Sequence, residues 1–356
     1  MLLAIAPSAA ADDIGCAADG LPQRQLQPSA ALALALFPYA GSQASRLHGD
    51  LTDEAAIAVQ LLRLSLCGKV ATRRGSLHYH LGYEAWNLMQ RARSDAPTWG
   101  RLFVAEIGFA PLPYLGFRIG IFKPVTGFGH DEPEFSLVLP RSHAVLALST
   151  DRRLGLEVSA PFGAISAAVA IAFASRDAPL LRFSDGLVAS GRLRADPIGP
   201  MGSALSTLDD EASFGDNFRF SIGAGGQYQY SSLHSGYAFS VDGAIKWKLL
   251  SALIEYHDAS QIRSDLDGGL HTGRGLGVTT AVLAVRPYLE CALRYEWFAE
   301  AQSSATDPAR FHALQLGLSS YPFKRWVKLQ AHFAHRFYTG VPRSDDVLSL
   351  GAIFSQ

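Results

Sequence analysis

The segment 218–230, FRFSIGAGGQYQY, alternates between two kinds of side chain. One set of alternate positions is apolar and aromatic near both ends: Phe218, Phe220, Ile222, Ala224, Gly226, Tyr228 and Tyr230. The intervening positions are polar or small. Successive side chains of a strand point to opposite faces, so the segment predicts a strand with one apolar face. It is long enough for a tilted membrane-crossing strand, which takes ~9–11 residues. Aromatic ends are typical of lipid-facing barrel strands. We therefore interpret the segment as a transmembrane β-strand.

The same alternation recurs along the chain from Leu62 onward. In 235–247, apolar residues such as Tyr237 and Phe239 alternate with polar ones such as Ser240 and Asp242. The other predicted strands are 62–72, 76–88, 98–110, 115–123, 152–160, 164–175, 187–197, 250–259, 274–286, 288–299, 311–321, 326–337 and 346–355. A long series of alternating segments is typical of an all-β, transmembrane antiparallel β-barrel.

The connections between these segments support a barrel, because long and short ones alternate as the outer loops and inner turns of such barrels do. Two connections depart from the pattern: 232–234 is a short outer loop, and 198–216 is a long inner connection. If both ends of the chain lie on the inner side, one more strand is needed before 62–72, and 29–37 can provide it. The total is then about sixteen strands, and bacterial single-chain barrels have even numbers.

Two segments near the start resemble a secretory signal, in which an apolar run leads to small residues. They are 1–11 and 29–44, and the alternative for the second is that 29–37 forms the first strand. Either interpretation predicts export. We expect a signal-like or disordered segment at 1–28, followed by one barrel domain at 29–356, integral to the bacterial outer membrane.

Composition argues against several other classes of protein. No apolar run approaches the ~18 residues of a membrane-spanning helix. The net charge of -1 gives no general attraction to nucleic acid. The three cysteines, Cys16, Cys67 and Cys291, are too far apart for a disulfide framework or a zinc site. The chain lacks G-x-S-x-G and phosphate-binding loop motifs, so we predict no enzyme activity and no cofactor.

A histidine pair is the nearest approach to a metal site. His78 and His80 share one strand face, and Glu84 lies on the same face. Imidazole and carboxylate groups bind divalent metals. However, Glu84 lies roughly 13 Å from His80 along a strand, too far to join one site without a bend. We therefore favour polar lumen residues over a metal site.

Basic residues are frequent on the predicted lumen faces, where rings of them would attract anions. They are Arg63, Lys69, Arg118, Arg192, Arg194, Arg219, Lys246, Arg294, Lys328 and Arg336. Acidic residues share those faces: Glu84, Glu157, Asp196, Asp242, Glu255, Glu290 and Glu296. One interpretation is a ladder of anion-attracting bases. The other, which we favour because the excess of bases is small, is a mixed-charge lumen whose charges pair and give mild selectivity.

Four segments resemble the phosphate-selective porins of the O and P type: GFRIGIFKPVTGFG (116–129), RRLGLEVS (152–159), GRLRADPIG (191–199) and VKLQAHF (327–333). The resemblance runs from about Leu62 to the end of the chain. It implies a trimeric, sixteen-stranded outer-membrane barrel whose third outer loop, 124–151, folds into the lumen as a constriction. It also implies that basic residues, here including Lys123 and Arg141, attract anions.

The predicted constriction loop also contains an acidic cluster of Asp131, Glu132 and Glu134. Proteins recognise phosphate through charge-assisted hydrogen bonds from Arg and Lys. Carboxylates at the constriction would repel phosphate, so the cluster argues against high phosphate selectivity.

The predicted function is passive diffusion of small hydrophilic solutes or ions, with mild anion preference and phosphate among the candidates. Outer-membrane lipid is the expected surrounding, and small solutes or anions are the expected partners. The alternative is a plugged, non-transporting barrel with a structural or surface-interaction role. Small residues on the polar faces favour a pore, because they leave room for water: Gly116, Gly120, Ser221, Gly223, Gly225 and Ser240.

Overall fold

The chain forms a closed barrel of antiparallel strands. The computed structural model describes residues 24–40, 55–72, 75–87, 101–131, 139–150, 152–173, 186–201, 205–206, 218–231, 234–263, 270–286, 288–302, 310–322, 327–339 and 344–355. Within these ranges sixteen strands follow one another around the barrel, and β1 pairs with β16 to close it. The predicted barrel and its strand number are therefore confirmed.

The strands of the first half are β1 (Arg24–Ala40), β2 (Ala55–Thr72), β3 (Gly75–Asn87), β4 (Arg101–Leu112), β5 (Leu115–Phe122), β6 (Arg153–Phe162), β7 (Ile165–Phe173) and β8 (Leu187–Ile198). Those of the second half are β9 (Arg219–Tyr230), β10 (Ser235–Trp247), β11 (Leu250–Arg263), β12 (Leu270–Val285), β13 (Leu289–Gln302), β14 (Arg310–Ser320), β15 (Val327–Tyr338) and β16 (Ser344–Ser355). Two short helices, α1 (Phe128–Asp131) and α2 (His143–Ala147), lie between β5 and β6.

The first strand begins earlier than we predicted. Residues 29–37 lie within β1, but β1 starts at Arg24, because Arg24 pairs with Val70 of β2 and Pro28 pairs with Leu66. The predicted start of the barrel at residue 29 was therefore too late. The signal-like residues 1–11 lie outside the described residues, and a cleaved signal stays a prediction.

The alternation of side chains matches the two faces of the barrel wall. In β10, Tyr237, Phe239 and Trp247 are exposed on the outside, whereas Ser240 and Asp242 are buried on the inside. Exposed apolar and buried polar residues alternate in the same way along β9, which lies within the segment 218–230. A closed barrel satisfies its backbone hydrogen bonds between strands, as a lipid environment requires. The outer apolar belt therefore forms the lipid-facing surface.

No helix in the described part of the chain is long and apolar enough to cross a membrane.

Unlike the interior of an open tube, the lumen contains packed apolar clusters. The first cluster consists of Phe128, Leu139, Met201, Leu205, Ala244, Leu253, Ala281 and Ala292. The second consists of Ala144, Ala147, Leu148, Ala238, Ala259, Ile262, Phe298, Phe311 and Ala313. Both combine wall residues with residues from the connections between strands. The connections that enter the lumen therefore determine how much of it stays open.

Candidate pore constriction

The described parts of the constriction loop (124–151), residues 124–131 and 139–150, lie inside the barrel, as the family resemblance implies. Phe128 of α1 and Ala144 and Val145 of α2 are buried. The imidazole of His143 packs edge-on against the rings of Phe298 on β13 and Phe311 on β14, with centroid distances of 4.6 and 5.3 Å. The loop is thus packed against one side of the wall.

Helix α2 begins directly after a serine that caps it. The Oγ of Ser142, at the N-cap, accepts a hydrogen bond from the backbone N–H of Val145 at 3.2 Å. Serine is favoured at this position because its hydroxyl satisfies an N–H that has no partner within the helix. This cap fixes the start of α2 against β13.

Three carboxylates of the wall hold the backbone of the loop. Asp242 on β10 accepts a hydrogen bond from the N–H of Phe128 at 3.3 Å, and Glu255 on β11 accepts one from Gly129 at 2.5 Å. Glu296 on β13 accepts one from the N–H of Ala144 at 3.0 Å. The first N–H groups of a helix have no partner within it, and carboxyl oxygens can accept hydrogen bonds from them. These acids therefore anchor both helices.

Wall donors and a glutamine also hold the loop. The carbonyl of Thr126 accepts hydrogen bonds from Ser240 Oγ at 2.6 Å and from Arg192 at 3.4 Å. Farther along the loop, Thr150 Oγ1 donates to the side-chain oxygen of Gln227 on β9 at 2.7 Å. The wall from β8 to β13 thus holds the loop at several points along its length.

Three predicted arginines lie in ion pairs on the lumen face. Arg118 on β5 bonds to Glu106 at 3.3 Å and to Glu157 at 2.6 Å. Arg192 on β8 binds both carboxylate oxygens of Asp242, at 2.7 and 2.9 Å. Arg194 binds both oxygens of Asp196, at 2.9 and 3.0 Å. Their charges are thus largely balanced within the wall.

Three other predicted basic residues bind backbone carbonyls. Arg141 donates to Gly129 O at 3.2 Å, which ties the two parts of the constriction loop together. Arg294 on β13 donates to Pro140 O and, at 2.8 Å, to Thr279 Oγ1. Lys246 on β10 donates to Ser206 O at 3.2 Å. Each of these residues therefore positions a segment inside the lumen.

The last four predicted cations lie at several places on the wall. Lys328 and Arg336 on β15 lie over the rings of Tyr321 and Phe311, both at 5.5 Å from the centroid. Arg219 donates to Pro200 O at 3.1 Å, and the carbonyl of Lys123 accepts from Arg118 at 3.5 Å. The ten of the twelve predicted cations that the structure describes therefore do not form one uninterrupted ladder.

The predicted acidic cluster cannot be placed. The side chain of Asp131, together with Glu132 and Glu134, lies outside the described residues, as do the side chains of Arg63 and Lys69. The effect of this cluster on permeating anions stays a prediction.

Three of the small residues on the lumen face, Gly223, Gly225 and Ser240, lie against the constriction loop or its anchors, and the room for water beside the small residues stays a prediction. A Cβ atom at Gly225 would clash with the backbone carbonyl of Thr126, and one at Gly223 would lie 2.7 Å from Arg192. Ser240 hydrogen-bonds the same Thr126 carbonyl. These small residues let the constriction loop and its anchors approach the wall.

Substituting Gly225 should therefore displace the loop from the wall. We expect Gly225→Ala to lower the free energy of unfolding by about 1–3 kcal/mol, as overpacking typically does. Gly277→Ala on β12 is the matched control, because a Cβ there has nothing within 4 Å. Urea unfolding in detergent micelles measures both. Equal stability of the two variants would contradict the close approach of Thr126 to β9.

Within the described ranges, no group of three or more His, Cys, Asp and Glu side chains could hold a metal ion. His80 pairs across β3 and β4 with Glu106, which is itself bound to Arg118.

Comparison with known proteins shows the fold. No protein-family model matches the sequence, and no curated protein matches it. Among solved structures, an anion-selective porin from Comamonas acidovorans aligns with a TM-score of 0.62 and 13% identity, over 93% of this chain and 99% of that one. The outer membrane channel DcaP of Acinetobacter baumannii gives 0.59 and 12%, over 93% and 96%. The trimer form of OmpT from Vibrio cholerae gives 0.58 and 10%, over 94% and 100%.

These likenesses extend over nearly the whole of each chain, so they concern the complete barrel. The closed wall and the outer apolar belt agree with them. The chain therefore has the porin-like fold of an integral outer-membrane β-barrel.

Proposed function

We propose that the protein is an outer-membrane channel for passive diffusion of small hydrophilic solutes, with a mild preference for anions. The observation that carries the proposal is the constriction loop, which is anchored to one side of the lumen instead of lying across the barrel mouth. Its helices are held by Asp242, Glu255 and Glu296 on β10, β11 and β13. A loop fixed in this way narrows the lumen and limits permeation by size.

In this proposal, solutes pass beside β7 and β8. Lumen-facing Ser166 and Ala168 on β7 are small and only partly buried, and Arg192 and Arg194 project from the neighbouring strand. In this proposal, the small side chains near charged ones leave a polar path for water and ions along this side of the lumen.

The anion preference is supported by the unequal exposure of paired charges. In the Arg118–Glu157 pair, 8% of the arginine side chain is exposed but only 2% of the glutamate. In the Arg192–Asp242 pair the values are 8% and 1%. In the third pair the order is reversed, because 13% of the Arg194 side chain is exposed and 19% of the Asp196 side chain. Two pairs thus present the cation to the lumen, which favours a mild and not a strong selectivity.

A plugged barrel is the second candidate, and dense packing of one side of the lumen favours it. Glu290 and Glu296 on β13 are each 1% exposed, although both face the lumen. Such burial requires that other parts of the chain fill the space in front of β13. The two candidates differ in whether an aqueous path remains beside β7 and β8.

We also propose that the protein assembles as a homotrimer. The proposal rests on the family resemblance and on the likeness to OmpT of Vibrio cholerae, which is described in a trimer form.

The reversal potential in a planar bilayer under a KCl gradient tests the proposed function. We expect a potential of the chloride-selective sign, which moves toward zero in Arg192→Gln/Arg194→Gln because those cations face the path. The charge-conserving control, Arg192→Lys/Arg194→Lys, should keep the potential. Replacing chloride by phosphate then measures whether phosphate permeates more readily than chloride.

The possible outcomes separate the candidates. A cation-selective potential would reject the anion preference but keep the channel. Absence of conductance, with the protein shown to be inserted, would reject the channel in favour of the plugged barrel.

A further inference from the structure

The connection between β8 and β9, residues 199–218, is unlike the other inner connections of the barrel. Among its described residues, Met201, Leu205 and Ser206 have exposed fractions of 0%, 1% and 0%, whereas Gly199, Pro200 and Phe218 at its two ends are exposed. By contrast, Phe162 and Trp247, which lie at other inner turns, are exposed by 61% and 49%. The connection therefore enters the lumen from the inner mouth. We call it the inner connection.

The turn into the lumen starts immediately after β8. Gly199 has a φ of +70°, a left-handed conformation that glycine adopts without steric cost. The N–H of Met201 then bonds to Asp196 at 3.3 Å, and the carbonyl of Pro200 accepts from Arg219 at 3.1 Å. These contacts direct the chain away from the line of the strand.

Farther along, polar wall residues hold Ser206. Its Oγ donates to Glu290 on β13 at 2.9 Å, and its carbonyl accepts from Lys246 on β10 at 3.2 Å. Tyr321 also donates to Glu290, at 3.3 Å. The connection is thus fixed both to β10, the neighbour of β9, and to β13, which lies four strands beyond β9 around the wall.

The inner connection meets the constriction loop in the middle of the barrel. Met201 and Leu205 belong to the same apolar cluster as Phe128 and Leu139 of that loop. The wall behind this cluster bears the small side chains of Ala244, Ala281 and Ala292, which leave space for the larger ones. Two segments that enter from opposite mouths therefore pack against each other and against β10–β13.

We propose that the described part of the inner connection inside the lumen, Met201 with Leu205 and Ser206, forms a second constriction element, which narrows the lumen from the inner side and supports the constriction loop from below. The proposal rests on the proposed channel function for its size-selective consequence. The permeation limit is then set by both segments together.

Replacing residues 200–217 by Asn-Gly tests the proposal, because that pair forms a tight hairpin turn between antiparallel strands. We expect a several-fold rise in single-channel conductance and passage of larger sugars into proteoliposomes. A milder variant, Met201→Ser/Leu205→Ser, should raise the conductance and the passage of sugars as well, by a smaller amount. This variant tests the proposal if the shortened chain does not fold. The matched control is Ile198→Ser/Phe218→Ser, at the exposed ends of the connection, where no change is expected.

The outcomes separate this proposal from the channel proposal. If the unaltered protein is closed and the shortened one conducts, the channel proposal fails and the second constriction stands. A shortened, inserted barrel that conducts no more than the unaltered protein would overturn the second constriction, whether or not the unaltered protein conducts.

Discussion

Arg118→Ala is expected to lower the free energy of unfolding by about 3–5 kcal/mol, the usual cost of removing one partner from a buried ion pair. The guanidinium of Arg118 lies between the carboxylates of Glu106 and Glu157, and all three residues are buried. Removing it leaves two like charges close together with little water around them. Its contact with the ring of Phe122, at 4.3 Å, is lost as well.

The matched control for this prediction is Arg194→Ala. Its partner Asp196 has a side chain that is 19% exposed, so water can solvate the remaining carboxylate. Fully exposed pairs contribute only about 0–1 kcal/mol, so loss of this less buried pair should cost less than loss of Arg118. Urea unfolding in detergent micelles measures both variants, and similar losses in the two would contradict the proposed importance of burial.

A triple variant separates lost charge pairing from lost packing. Arg118→Met with Glu106→Gln and Glu157→Gln removes all three charges and preserves side-chain volume. Most of the stability lost in Arg118→Ala should return, because neutral replacements of a buried ion cluster are often tolerated. No recovery would indicate that packing of Arg118, and not charge balance, carries the effect.

The fold was predictable because a barrel repeats one local rule many times. Residues 218–230 and 235–247 each show which side chains face lipid, and the structure has the same two faces. Period-two alternation depends only on neighbouring residues, so a single sequence contains it. The start of β1 was less predictable, because Arg24–Pro28 is fixed by pairing with β2 and not by its own alternation.

The role of the wall carboxylates was not predictable from alternation. Alternation places Glu255 on the lumen face, but its partner, the N–H of Gly129, lies 126 residues away in the sequence. We counted such acids as charges that oppose an anion ladder. In the structure they are acceptors for the loop backbone, a role that depends on the path of the loop.

The path of the inner connection was likewise not predictable from alternation. The length of 198–216 was apparent as a departure from short inner turns, but its destination was not. Met201 and Leu205 show no strand or helix periodicity, and only their burial beside Phe128 places them in the lumen. An unusually long connection on the short-turn side of a barrel is therefore a useful sequence signal for a segment inside the lumen.

The double variant Glu255→Ala/Glu296→Ala is expected to release the constriction loop. It removes the acceptors for the N–H groups of Gly129 and Ala144. These N–H groups lie in the first turns of α1 and α2. A buried N–H that loses its acceptor costs about 1–3 kcal/mol, so the loss of both should weaken docking of the loop by about 2–6 kcal/mol. The wall itself should stay closed, because its strand pairing does not involve these side chains.

Two measurements follow the loop separately from the barrel. Single-channel conductance should rise several-fold with larger current fluctuations, and protease should cut the released loop while the strands stay protected. Glu300→Ala is the matched control, because Glu300 lies on β13 with Glu296 but bonds to His271. If the double variant keeps the conductance and protease resistance of the control, Glu255 and Glu296 are not required to hold the loop, and its other contacts, such as the hydrogen bond to Asp242 and the packing of His143, are sufficient.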